Sequence, residues 1–339
     1  MERPVYAHSP IRSVQSLCRS LGTPEPLLRN IASRAHSLYI GPKPKIKKNG
    51  GIRLVFDTKA PLKSLLKKIN TVFLKQVTYP TYLTGSLPGR NFVSNVAIHN
   101  HSIHAITEDI SEFFDNITAE HVYGIWSQFF GFAHEVADIL TTLTTREGRV
   151  FQGTPTSSYL ANLAFWDKEP TLVARMTMRG IRYSRYVDDI TVSCNSEMYD
   201  ESKRWAISQV YGMIGSSGFK PKRAKHGSLS ARTPITIMGL NANQHPSITK
   251  QERASTRALV FQLERRYATG ENGLEFKRAL NHASGKVGRL SQLHVREGTA
   301  LRERLSGIRK NLDGVPRVIE PRLIPVESSI GSTALPLLR

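Results

Sequence analysis

The sequence predicts an α+β fold: an antiparallel sheet built from hairpins within the first 245 residues, followed by an all-helical C-terminal block. Three observations predict it. Alternating β-branched or aromatic runs flank turn signals around Asn49-Gly50, around Val187-Asp-Asp189 and within residues 234–243. Apolar residues recur at helical spacing through most of the remaining chain, and without interruption by strand patterns from Ser247 to about Leu312. The length of 339 residues suits about two domains' worth of core.

Each element has its own signal. Residues 11–38 place Ile11, Val14, Leu17 and Leu21, then Leu27, Leu28, Ile31 and Leu38, on helical faces broken at Gly22-Thr-Pro-Glu-Pro26. Residues 40–60 read as a hairpin. Residues 61–77 return to helix through Leu62, Leu65, Leu66, Ile69 and Phe73. Gly85 to Arg90 is a loop, residues 91–100 a helix, and His104 to Ile110 a strand that runs into a helix-like Ser111 to Phe114. Residues 119–145 are helical, Gly153-Thr-Pro155 is a loop, and Thr156–Val173 reads as one long apolar helix. Ile181–Tyr186 and Ile190–Ser193 form a hairpin with carboxylates at its tip, and residues 200–216 are helical. Five segments follow: 1–40, helical; 41–105; 106–245; 246–314, helical; and 315–339, a Pro-rich tail expected to be extended.

Charge narrows the function. The chain carries 47 Lys+Arg against 27 Asp+Glu, a net charge of +20. Self-repulsion on that scale calls for a polyanionic partner. Cys18 and Cys194 are the only cysteines, which excludes a disulfide framework and a multi-cysteine zinc site. No run approaches the ~20 apolar residues of a membrane helix, and Met1-Glu-Arg-Pro4 lacks the apolar core of a signal peptide. The expectation is a soluble intracellular protein with no membrane role. Nine cations and one acid fall in residues 41–68, and fourteen cations and seven acids in residues 250–313. Against this background two acidic spots stand out: Glu108, Asp109, Glu112 and Asp115, and the pair Asp188-Asp189. Solvated faces and helix caps are the ordinary explanation of such runs. Adjacent antiparallel strands, however, bring a strand-end Asp109 to a hairpin-tip Asp188. Gathered carboxylates repel and take up protons unless a divalent cation neutralises them. Mg²⁺ accepts one or two carboxylates with phosphate oxygens and water, and two such ions clamp the attacking and leaving oxygens of a nucleotidyl transfer.

Three motifs then make the case specific. Arg182-Tyr-Ser-Arg-Tyr-Val-Asp-Asp-Ile-Thr-Val-Ser193 resembles the Tyr-x-Asp-Asp motif of reverse transcriptases with its flanks. Glu108-Asp-Ile-Ser-Glu-Phe-Phe114 resembles that family's first aspartate motif. Gln152-Gly-Thr-Pro-Thr-Ser-Ser-Tyr-Leu-Ala-Asn162 is similar to its Gln-Gly-x-Pro-x-Ser-Pro-x-Leu-Ala-Asn motif, with Ser158 in place of the usual Pro. Val187 stands where Ala is commoner. Gly218-Phe-Lys-Pro-Lys-Arg-Ala-Lys225 resembles the next palm motif, and Ile237-Met-Gly-Leu240 the hairpin where a thumb begins. Thr84 to His99 and residues 285–306 resemble the bacterial retron branch, with Asn95 and His99 at its Asn-Ala-x-x-His spacing and Val96 in the Ala place. The resemblance spans about residues 40–312.

That resemblance implies a right-hand polymerase: fingers over 41–105, an antiparallel-sheet palm over 106–245 with interleaved fingers elements, and a helical thumb over 246–314. It implies RNA-templated DNA synthesis with two Mg²⁺ ions, Mn²⁺ being a substitute. Asp109, Asp188 and Asp189 would be the metal ligands, with the Ile110 carbonyl as an additional one. Arg53 would hold the triphosphate with its planar fork, and Gln152 and Gly153 would lie against the incoming nucleotide. Phe114 matches a gate under the sugar, although at least one of Phe113 and Phe114 must be core. Lys225 is either a general acid for pyrophosphate departure or, beside Lys220, Lys222 and Arg223, a backbone contact. Asn95 and His99 either touch structured RNA or pack against the palm; a single His lacks the partners for a metal site. Lys286 and Arg289 belong to a basic helical surface suited to tracking phosphates. The implied partners are a cognate noncoding RNA serving as template and primer, nascent single-stranded DNA, dNTPs, and a separate effector protein in antiphage defence, all in the bacterial cytoplasm. Other bacterial reverse transcriptases, and a catalytically silent RNA-binding scaffold, are the competing readings.

Overall fold

Local chemistry cuts the N-terminal stretch into short pieces. After β1 (Val5–Tyr6), α1 (Val14–Leu21) starts where the Ser13 hydroxyl accepts the Ser16 N–H, and stops at Gly22 in the left-handed region. The Pro24-Glu25-Pro26 sequence then starts α2 (Glu25–Ser33). The computed structural model describes residues 1–46 and 50–313. Lys47, Lys48 and Asn49 of the expected turn, and the tail 315–339, lie outside the described residues. On either side of that turn, β2 (Tyr39–Ile46) and β3 (Ile52–Thr58) pair antiparallel. α3 (Ala60–Val72) buries Leu62, Leu65, Leu66 and Ile69, and β4 (Val77–Thr78) pairs with β1. The helical stretch expected to Val77 is thus α-helical to Val72, continues as a 3-10 turn over Leu74–Gln76, and gives way to the strand pair at Val77.

α4 (Phe92–Ile98) is capped by Asn91 and leads to β5 (His104–Asp109). The segment expected as one helix over 119–145 is two: α5 (Ala119–Gly124) and α6 (His134–Thr144), separated by a π-helical turn and Gly131 at φ 66°. The break lets Trp126, Phe130 and Phe132 converge, with Trp126 and Phe130 ring centroids 4.9 Å apart. The single helix expected over 156–173 is likewise two, α7 (Ser157–Leu163) and α8 (Glu169–Met178). Pro170 explains the break, because its ring would collide with the carbonyl four residues back and it has no N–H to donate.

β6 (Arg182–Tyr186) and β7 (Asp189–Cys194) form the expected hairpin, followed by α9 (Asp200–Ser216) and β8 (Gly227–Ser230). β8, Gly-Ser-Leu-Ser, carries little strand signal of its own and was not expected. It completes a four-stranded sheet of order β6-β7-β5-β8 with every neighbouring pair antiparallel. Helices α4 and α8 pack on β6. The short pair β9 (Thr236–Ile237) and β10 (Leu240–Asn241) is the third expected hairpin.

Residues 1–249 form one compact unit and the chain from Lys250 a second. The second holds α10 (Lys250–Ala268), α11 (Leu274–Leu293) and α12 (Val295–Asp313). Its core is Val260 and Leu263 against Phe276, Leu280, Val287 and Leu290, and Leu301, Leu305 and Ile308. Ion pairs join its helices: Arg253 and Arg257 meet Glu297, Arg289 meets Glu252, and Arg304 meets Glu264. Part of the positive charge counted over residues 250–313 is therefore paired within the unit. Among the described residues no helix is long and apolar enough to cross a membrane.

Candidate active site

The site grows from strand register. β5 and β7 pair so that Asp109 stands opposite Asp189, while Tyr186 pairs with Asp189 across the hairpin. Val187 and Asp188 are therefore the two turn residues, and Val187 takes φ 62°, the left-handed geometry that a tight hairpin demands. Period two resolves the first acidic spot. Glu108 points to the opposite face from Asp109, where it is buried against His226 Nδ1 at 2.6 Å and the Tyr211 hydroxyl at 3.1 Å. Glu112 and Asp115 are exposed. Only Asp109 joins the pair.

The surroundings of these carboxylates are cationic but incompletely so. Lys225 donates to Asp109 Oδ2. The loop that carries it is tied to the strand end, since Lys222 N–H donates to the Asp109 carbonyl at 2.7 Å and Ser111 N–H to the Lys220 carbonyl at 2.8 Å. The Ile110 N–H donates to the Asp188 carbonyl at 3.1 Å. Burial, then the neighbouring charges of Asp188 and Asp109, push the Asp189 carboxyl up to about 7. Burial, reinforced by Asp109, raises Asp188 as well. Burial pulls Lys225 down, but its hydrogen bond to Asp109 and the charges of all three aspartates outweigh that and raise it. One ammonium does not neutralise three carboxylates. The donor set, oxygen only and short of positive charge, fits a hard divalent cation. Among the described residues no three His, Cys, Asp or Glu side chains are already gathered around one point; here Lys225 sits on Asp109.

In front of the turn lies a pocket of about 370 Å³. Arg53, Phe114, Gln152, Gly153, Asp188 and Asp189 all line it, with Ser86, Ser158, Tyr186 and Val187. Arg53 reaches it because the Gln152 carbonyl accepts the Phe56 N–H at 2.8 Å, docking β3 against the Gly153 loop. Gly153, at φ 109°, has no room for a side chain: a Cβ would lie 2.2 Å from the Phe56 carbonyl oxygen. Phe113 turns inward and stacks on Phe165, while Phe114 borders the pocket.

The Reverse transcriptase (RNA-dependent DNA polymerase) family profile matches residues 42–242, more than half of the chain. The Retron Se72 reverse transcriptase of Salmonella heidelberg is 32% identical over 312 residues, 91% of this chain and 82% of the relative. The chain belongs to the reverse transcriptases, in their bacterial retron branch. The Retron Ec48 reverse transcriptase of Escherichia coli is 26% identical over 318 residues, 89% of this chain and 78% of its own. A telomerase structure from Candida albicans, in complex with a fragment of telomeric RNA, matches at TM-score 0.41 and 10% identity over 76% of this chain and 54% of its own, a likeness too distant to carry an argument.

The remaining expected residues of this reverse transcriptase fall in three places. Lys220 and Arg223 are exposed near the Asp109 strand end, and Lys222 is half-buried. In the second unit Lys286 is half-buried on α11 and Arg289 pairs with Glu252 at 3.2 Å. Asn95 and His99 are buried, 1% and 0% exposed. The expectation that they touch RNA is corrected in favour of packing. Asn95 accepts the Thr84 hydroxyl at 2.6 Å, and the two His99 nitrogens bond Ser193 Oγ and Ser184 Oγ at 2.7 Å each. The enzyme also holds residues that sequence reasoning missed. Arg185 and Glu169 form a fully buried pair behind the turn, and Gly85 packs directly beneath it. Sequence offers one cue for Arg185, a cation inside a β run one residue before Tyr186; the structure buries it with Tyr183 and Ser184.

Proposed function

We propose that this chain is the polymerase of a retron. It copies a cognate structured noncoding RNA into single-stranded DNA, starting from an internal 2′-OH of that RNA and leaving a branched RNA–DNA product, in an antiphage system with a separate effector protein. One observation carries the catalytic part: strand register sets Asp109 opposite Asp189 at the sheet end, and Asp188 and Asp189 line a pocket together with Arg53, Gln152 and Phe114. In this reading β2, β3 and their neighbours act as fingers, the four-stranded sheet as palm and α10–α12 as thumb.

Asp109, Asp188 and Asp189, with the Ile110 carbonyl, would hold two Mg²⁺ ions. When bound, these lower the cost of the charge that develops on the attacking and leaving oxygens. The chain's own groups do the rest. Arg53 presents its guanidinium to triphosphate oxygens. Gly153 lets the backbone approach the nucleotide, and Gln152 lies against it. The Phe114 ring occupies the floor where a ribose 2′-OH would sit, which selects deoxynucleotides. Lys225 keeps a proton on Nζ and delivers it to the departing pyrophosphate. Lys220, Lys222, Arg223, Lys286 and Arg289 follow the nucleic-acid backbone, and affinity for RNA falls with rising salt.

The test has two arms. Primer extension on poly(rA)/oligo(dT) with Mg²⁺ is expected for the wild type and absent from Asp188→Asn and Asp189→Asn; synthesis that survives both overturns the site. Sequencing the nucleic acid that copurifies with the protein is expected to return one structured RNA joined through a 2′ branch to DNA. An unbranched or heterogeneous population points to another kind of bacterial reverse transcriptase, and RNA without any DNA synthesis to a silent scaffold.

A further inference from the structure

The turn that carries Asp188 is held from behind by one side chain. Arg185 is 0% exposed. Its Nε and Nη2 donate to the two oxygens of Glu169 at 2.6 and 2.7 Å. Its other bonds go to main-chain carbonyls: Val187 at 3.0 Å, Ala161 at 3.3 Å and Asn162 at 2.9 Å. A single guanidinium thus fastens the hairpin turn to α7 and to the start of α8. The Tyr183 hydroxyl donates to Glu169 at 2.7 Å and helps fix the acceptor.

The loop before α4 closes the same clamp. Arg185 N–H donates to the Tyr82 carbonyl at 2.9 Å, and Thr84 N–H to the Arg185 carbonyl at 3.0 Å. Asn162 donates to the Gly85 carbonyl at 2.8 Å. A Cβ on Gly85 would lie 2.6 Å from both Val187 N and Val187 Cγ2. These contacts converge on Val187, a β-branched residue at φ 62°. Such a conformation persists only where its surroundings over-determine it.

Stability alone is a poor account of this pair. Desolvating two ions offsets most of their attraction, so apolar residues of similar volume often serve a core as well. What an apolar side chain cannot do is hold the Val187 carbonyl. We propose that Arg185, oriented by Glu169, is the positioning residue that aims the Asp188-Asp189 turn into the pocket. The proposal rests on the reading of Asp188 as a site residue. It requires that loss of the clamp lower kcat and raise the Mg²⁺ requirement by more than it raises the KM for dTTP, because Arg53, Gln152 and Gly153 line the same pocket from outside the clamp.

The experiment compares the double variant Arg185→Met with Glu169→Leu, the single variant Gly85→Ala, Asp188→Asn and the wild type. Each is assayed by thermal unfolding, by dTTP and Mg²⁺ titration, and by steady-state extension of poly(rA)/oligo(dT). The double variant is expected to stay folded and to lose about 100-fold in kcat, the cost of displacing reacting groups by about 1 Å, with a smaller change in the KM for dTTP. A folded double variant with wild-type kcat and Mg²⁺ requirement overturns the proposal. If the double variant does not fold, Gly85→Ala decides, because it pushes on Val187 without touching the ion pair: reduced kcat in a folded protein supports the clamp, and wild-type kcat overturns it. An active Asp188→Asn refutes the site reading itself, whereas an inactive Asp188→Asn beside a fully active double variant refutes only the clamp.

Discussion

The two sides of the β6–β7 turn treat charge in opposite ways. In front, one ammonium touches a cluster of three carboxylates, and Asp188 and Asp189 sit above their ordinary range because burial and mutual repulsion outweigh the pull of Lys225 and, at Asp188, of Arg53. Behind, Arg185 meets Glu169 in two-point contact and gives its other bonds to three carbonyls. A matched buried pair belongs to the scaffold, and removing one partner strands the other. An unmatched cluster strains the folded state, and removing one member relieves it. The difference teaches where to look for function: at buried charge that the chain itself leaves unbalanced.

The largest effect expected is on the front side. Asp188→Asn deletes a proposed cation ligand, and several kcal/mol of transition-state stabilisation correspond to a loss of about 1,000-fold or more in kcat. The same substitution removes a repulsive charge, so the thermal midpoint holds or rises. An inactive variant that also melts well below the wild type breaks the comparison. On the back, the single change Arg185→Leu leaves the Glu169 carboxyl in the core without its cation. It is expected to cost about 3–5 kcal/mol of stability, read by urea unfolding, and a loss below about 1 kcal/mol would mean that the pair is not the matched element described.

A smaller effect concerns the pocket floor. Phe114→Ala opens the place proposed for the sugar, and relief of overpacking there is worth about 1–3 kcal/mol. The ratio of kcat/KM for dTTP over UTP should fall about tenfold or more. An unchanged ratio assigns Phe114 to the core alongside Phe113.

These contrasts were unequally legible in the sequence. The hairpin and its carboxylates could be read because alternation, turn and motif are local. So could the separation of Glu108 from Asp109, which period two puts on opposite faces. The partnership of Arg185 with Glu169 could not, since it depends on a helix restarting at Glu169, just before Pro170, and apolar periodicity ran straight through that break. β8 was missed for a similar reason: its four residues are a strand only because β5 offers an edge. The charge of residues 250–313 could be counted but not mapped, because a count of arginines does not reveal which of them meet Glu252, Glu264 and Glu297.

The smallest effect is a pH dependence, and His99 isolates it. The ring is 0% exposed, and burial, with a minor contribution from Arg182, lowers it from 6.5 to about 3. It is therefore neutral in the folded enzyme, one nitrogen donating and the other accepting between Ser184 and Ser193. The unfolded chain protonates this histidine below about pH 6.5 while the folded chain does not. Stability from His99 is thus complete above that pH and falls by about 1.4 kcal/mol per unit below it, until the folded value near 3 is reached. Asp189 runs the other way. Its raised carboxyl keeps a proton in the folded state up to about 7, so its contribution declines as pH climbs from the ordinary 3.8 to that value. The two slopes oppose each other in the wild type and conceal one another. The difference between wild type and His99→Asn removes the Asp189 contribution, which both proteins share. Urea unfolding of the two should show the wild-type advantage shrinking by about 1.4 kcal/mol between about pH 6 and about pH 5. An advantage that stays constant over that interval would mean that His99 carries its proton inside the fold, and that the Ser184 face of β6 holds a buried charge without a matching one.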